Sequence, residues 1–210
     1  MLHKPGDSFL SRIKSEDLTF DEFLNAENLF DYIKRNHKEV TAYAVDNIDK
    51  VLDYAIFKID PQTSLPTVLS QRSYKLISLS NPTIICAVSD GNEIIAIARR
   101  IIHEYTEQNN SDSNINWICA ISRFSTIIET CLNKYPDSIS NFYFLPKFLR
   151  FCGNPVLVSL FERIISSNLE DTKLFLRMIK FQDKLMDFIT QWHNADSTDV
   201  ISQTPLDCVL

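Results

Sequence analysis

Glycine is nearly missing from this sequence, with three residues in 210. Nucleotide-binding folds need glycine where the backbone closes on phosphate, so the scarcity argues against them. Neither G-x-G-x-x-G nor G-x-x-x-x-G-K occurs. No apolar run reaches the length of about 18 residues that a membrane span needs. The first residues lack the charged-then-apolar pattern of a secretory leader. C-x-x-C is missing as well. The five cysteines (Cys86, Cys119, Cys131, Cys152, Cys208) are odd in number and scattered, which speaks against a disulfide framework or a zinc site. A reducing interior, the cytoplasm with the nucleus as a second compartment, is the expected home. Positive charge is short: 21 basic against 27 acidic residues give −6. A protein that coats nucleic acid gains affinity by releasing counterions from a basic surface, so nucleic acid is not an expected partner.

Apolar residues make up 45% and charged residues 23%, enough greasy surface to offset the entropy of ordering a chain. The dominant pattern is helical. Ile48, Val51, Leu52, Ala55, Ile56 and Ile59 recur at steps of three and four, with Asp46 as a candidate cap and Pro61 beyond the end. Ile94, Ile97, Ala98, Ile101, Ile102 and Tyr105 repeat the rhythm. So do Leu157, Leu160, Phe161, Ile164 and Ile165, and later Leu185, Phe188, Ile189 and Trp192. Ile118, Ile121, Ser125, Ile128 and Leu132 mark another long helix. Nothing alternates at period two, so the fold class is all-α.

Punctuation supports this. Thr19-Phe-Asp-Glu22 is a capping box, in which the threonine oxygen accepts an orphan N–H and the glutamate reaches back. Asn81-Pro82 and Asn154-Pro155 are cap-plus-first-position pairs, since proline has no N–H to waste. Gly153 is placed to end a helix with positive φ. About ten to twelve helices joined by short turns suit either a bundle or an armadillo/HEAT-like α-solenoid, with the solenoid favoured. Residues 1–194 form the helical domain, and 195–210 lose periodicity and are expected to be a flexible tail.

Reactive constellations are lacking. The four histidines (His3, His37, His103, His193) have no metal-ligand spacing, and no G-x-S-x-G elbow exists. Asp21-Glu22 and Glu170-Asp171 sit at helix starts, where negative charge is favourable anyway. Of the two tryptophans, Trp192 is in phase with its stripe and is expected in the core. Trp117 is one step off its stripe and is the better candidate for an exposed anchor. The residues point to a non-catalytic binding scaffold with no metal and no cofactor.

Two stretches go further. Lys14-Ser-Glu-Asp-Leu-Thr-Phe-Asp-Glu-Phe-Leu-Asn-Ala-Glu-Asn-Leu-Phe-Asp-Tyr-Ile-Lys34 resembles the start of a SAPS domain. That domain is the helical-repeat module of regulatory subunits that bind Sit-type (protein phosphatase 6) catalytic subunits. Asp17, Thr19, Asp21, Glu22, Leu24, Glu27, Leu29 and Lys34 fit without a gap. Leu149-Arg-Phe-Cys-Gly-Asn-Pro-Val-Leu-Val-Ser-Leu-Phe-Glu-Arg-Ile-Ile-Ser166 is similar to a second motif of the family, with Gly153, Leu160, Arg163 and Ser166 in register. The resemblance implies a scaffold that docks a Ser/Thr phosphatase catalytic subunit and regulates or targets it. A generic helical adaptor with another partner is the alternative. Among the matching residues, Asp17, Glu22, Lys34 and Arg163 are polar and not needed for a core, so the resemblance makes them candidate partner contacts. Glu22 has its capping role as a competing explanation, and Arg163 has pairing with a neighbouring helix.

Overall fold

A computed structural model describes residues 5–15, 17–60, 62–107 and 116–196. Among the described residues every regular element is helical, and pairing is limited to one isolated antiparallel bridge, Ile59 to Pro66. The all-α expectation therefore holds. The helix count is a correction: the described residues form fourteen, twelve α-helices and two 3-10 helices. Pro136 opens one 3-10 helix and Pro146 is the second residue of the other, tight turns that carry no 3.6-residue stripe to announce them. The chain divides into two compact units, Met1–Ile97 with Asp112–Asn116, and Ala98–Ser111 with Trp117–Leu210. Most of the expected tail, residues 197–210, lies outside the described residues.

The first unit holds α1 (Pro5–Lys14), α2 (Phe20–Asn25), α3 (Leu29–Lys34), α4 (Lys38–Asp46), α5 (Ile48–Phe57), α6 (Val68–Ser78) and α7 (Pro82–Asp90). The start of α8 (Glu93–Glu107) also belongs to it. Its core is built from the apolar stripes: Phe23, Leu24, Leu29, Ile33, Val51, Leu52, Ile56, Leu76 and Ile84 are fully buried. The capping box on α2 is present in both directions. Asp46 does not cap α5, because it is the last residue of α4 and the break falls at Asn47. Asn47 donates its side-chain N–H back to the Tyr43 carbonyl at 3.0 Å, leaving the α5 start without a side-chain cap.

Few glycines are needed because other residues end these helices. Asn36 and Ser80 take left-handed φ of 52° and 53° just past α3 and α6. At α3 the N–H of His37 reaches the Tyr32 carbonyl at 2.9 Å and that of Asn36 reaches Ile33 at 3.0 Å, the paired bonds of a Schellman end. Gly91 is different. A Cβ there would stand 2.7 Å from the Ala87 carbonyl oxygen, so the turn from α7 into α8 requires a residue without a side chain.

The second unit holds the rest of α8, α9 (Trp117–Lys134), the 3-10 helices Pro136–Asn141 and Leu145–Phe151, α10 (Pro155–Ile165), α11 (Glu170–Met178) and α12 (Phe181–Asp196). Phenylalanines fill its centre. Phe124 stacks on Phe148 at 5.0 Å, and Phe148 meets Phe151 edge-on at 5.2 Å. Gly153 does not end a helix with positive φ, since no glycine in the described chain has one. The preceding 3-10 turn closes instead through the Asn154 N–H on the Phe151 carbonyl, 2.9 Å away.

Candidate docking groove

Asn154 anchors the start of α10. Its Oδ1 accepts from the N–H groups of Val156 and Leu157 at 3.0 and 3.2 Å. Its Nδ2 donates to the Ile118 carbonyl and the Ser122 hydroxyl at 3.1 and 2.9 Å. Thus one buried side chain caps α10 and ties it to α9. Arg163 adds a second tie farther along: it donates to Glu129 at 2.8 Å and to Asn133, both on α9.

With α10 held against α9, its apolar stripe turns Leu157, Leu160 and Ile164 inward. Val158, Phe161 and Ile165, on an adjoining strip of the same helix, line a groove of about 450 Å³. The opposite wall is α12, which presents Leu185, Phe188, Ile189 and Trp192. Phe161 and Phe181 meet at 5.4 Å between centroids, joining the two walls. The lining is apolar apart from Glu162 and the Cys152 thiol. Burial pushes that thiol up to about 11, so it stays protonated and acts as a small hydrophobe, not a nucleophile.

The tryptophan expectation is reversed. Trp117 is 7% exposed, with its ring edge-on to Tyr105 at 5.9 Å. Trp192 is 43% exposed at the groove's edge. Both follow from neighbours. Trp117 opens α9 against Tyr105 of α8, whereas the α12 stripe runs past the elements that cover it. Ile165, Leu169, Leu174, Met178, Met186 and Ile189 are also exposed, all between α10 and α12. A second hollow of about 380 Å³ lies between Ile139 and Tyr143 on one side and Leu174 and Met178 on the other. Sequence reasoning found the α12 stripe but took it as core.

The four candidate contact residues fall as follows. Glu22 is engaged: its Oε2 accepts from Arg12 at 2.8 Å, from the Thr19 N–H at 3.0 Å and from the Thr19 hydroxyl at 2.9 Å. The Arg12 guanidinium, followed by the threonine donors, lowers its carboxyl to about 2. Asp17 is exposed, and its carbonyl accepts from Arg12 Nε at 3.0 Å. Lys34 is exposed in the last turn of α3. Asp17, Glu22 and Lys34 belong to the first unit and Arg163 to the second. Among the described residues no group of three or more His, Cys, Asp or Glu side chains is placed to hold a metal, and no helix is long and apolar enough to cross a membrane.

No protein-family model, no curated protein and no solved structure matches this chain.

Proposed function

We propose that this protein is a non-catalytic docking subunit that holds another protein against an all-helical surface. The observation that carries the reading is the apolar groove between α10 and α12, at which Ile165, Ile189 and Trp192 stand exposed together. Single exposed apolar residues are ordinary, but a contiguous group beside a concave wall marks a surface that another molecule covers. Tryptophan and methionine supply large contact area and adapt to a partner's shape.

The partner in this reading is a Ser/Thr phosphatase catalytic subunit of the protein phosphatase 6 type. Its support is the SAPS-like order of residues from Asp17 to Lys34 and from Gly153 to Ser166. The helices would then form an armadillo/HEAT-like array, with Asp17 and Lys34 in the first unit and Arg163 in the second as candidate polar contacts. Glu22 contributes by setting α2 in place.

Affinity purification of the full chain at native expression, followed by mass spectrometry, is the test. A phosphatase catalytic subunit that is recovered with the wild type and lost with Trp192→Ala is the expected result. Repeated recovery of a different protein, lost with the same substitution, would favour the generic adaptor. Recovery of nothing by either form would overturn the docking reading.

A further inference from the structure

We propose that the second hollow, between α11 and the 3-10 helix Pro136–Asn141, receives an arginine side chain of a partner protein, its guanidinium held by Asp137 and Asp171. The inference takes from the docking reading only that the arginine arrives on another protein. The site itself stands apart from the α10–α12 groove. Asp171, Leu174 and Met178 line the hollow from α11, at i, i+3 and i+7, so they form one stripe of that helix. Asp137 and Tyr143 line it from the other side. Tyr143, Leu174 and Met178 are each more than half exposed. Each wall therefore offers one carboxylate and open apolar surface to the same hollow of about 380 Å³.

Carboxylates at helix starts are by themselves ordinary partners of the helix dipole. What sets these two apart is that nearby cations are engaged elsewhere. Lys173 bonds Glu170 at 2.8 Å, and Arg177 stands on that same adjoining stripe of α11. Lys173, and more weakly Arg177, hold the Glu170 carboxyl below its usual range. Arg163 pairs with Glu129 at 2.8 Å, and Arg99 donates to the Tyr143 hydroxyl at 3.4 Å. Among the described residues Asp137 and Asp171 have neither an ion pair nor a side-chain hydrogen bond. Two negative charges thus line an apolar hollow without a counter-charge. Its volume is at the small end for a ligand pocket, suited to a side chain more than to a cofactor. A long cationic side chain satisfies both parts, laying its stem on Leu174 and Met178 and its charged end on the carboxylates. Arginine fits better than lysine, because a planar guanidinium can bond two carboxylates at once and lie on an aromatic ring such as that of Tyr143.

The test titrates a capped alanine-arginine-alanine tripeptide into the full chain and follows the methionine methyl signals by NMR. The chain has three methionines, of which Met178 lines the hollow and Met186, on α12, does not. The Met178 signal is expected to move while that of Met186 stays. Asp137→Asn and Asp171→Asn should each weaken binding about two- to fivefold, and together about tenfold, with helical circular dichroism unchanged. A tripeptide with glutamine in place of arginine should move nothing. Trp192→Ala should leave the Met178 shift as it is, so that loss of the groove and loss of this site are read separately. A Met178 signal that stays in place overturns the inference, as does equal movement in the double variant or with the glutamine tripeptide. Equal binding of a lysine tripeptide overturns it too, by making the hollow a general cation site. A shift lost with Trp192→Ala overturns it by placing the tripeptide in the groove.

Discussion

Asn81 and Asn154 do the same work in the two units, and their surroundings differ. Each precedes a proline, caps the helix it opens and donates to a carbonyl of an earlier helix, Ile33 in one unit and Ile118 in the other. The device for locking one helix to another is common to both. In the first unit the locked helices close upon each other, and among its described residues the exposed large apolar ones are Leu65 and Val68, at the turn into α6. In the second unit the same lock leaves one side of α10 and α12 uncovered. Identical local chemistry thus serves a closed core in one place and an open wall in the other. What separates them is whether a further element lies against the stripe.

The comparison can be broken at its cores first. Phe23→Ala in the first unit and Phe148→Ala in the second each empty a fully buried site, and each should cost about 3–5 kcal/mol in urea denaturation. A much smaller loss for Phe148 would mean that the second unit packs loosely throughout and not only at its groove. Next come the locks. Asn81→Ala and Asn154→Ala each remove a cap and two donated bonds, at a cost of about 1–3 kcal/mol apiece. If one proves silent, the parallel between the units fails.

A third expectation concerns acid. Glu22 has a carboxyl lowered from 4.5 to about 2 in the folded chain. Its contribution is therefore complete above pH 4.5 and is lost as pH falls from there through about 2. Glu22→Gln should flatten the fall in melting temperature over that window, and an unchanged profile would show that its ion pair with Arg12 contributes nothing. Smaller still are the helix ends. Ser80 in the first unit and Lys180 in the second hold φ of 53° and 51°. Replacing either with glycine should add about 0.5–1 kcal/mol, readable as a raised melting temperature. Smallest is Met178→Gln. At 74% exposure this residue should change stability by no more than about 0.5 kcal/mol, while weakening any contact made by the uncovered wall.

The sequence made the helix starts legible because capping is local chemistry. Thr19 with Glu22, Asn81 with Pro82 and Asn154 with Pro155 each announce themselves within four residues, and each is present. The stripes of α5 and α10 were legible for the same reason, and that of α9 from Ile121 to Ile128, whereas at its start Ile118 is exposed and Trp117 buried. Trp117 and Trp192 were misjudged because a period shows which face of a helix is apolar and not whether anything covers it. Covering is decided by elements distant in the chain. Gly153 was misjudged because glycine permits positive φ without requiring it. Conversely, Ser80 and Lys180 take that conformation with no signal in the letters, whereas Asn36 is a residue type that tolerates it. The groove itself was half visible: its walls were named as stripes, and the gap between them was not.

Arg72 bears on the order in which the molecule assembles. Its guanidinium, on α6, donates to the carbonyls of Leu24 and Ala26 at the end of α2. A six-residue helix is too short to persist alone, and here its closing partner arrives from 48 residues downstream. The segment that carries Thr19 and Glu22 therefore depends on α6 for the bonds that close its end. Damage to it should hasten unfolding far more than it delays folding.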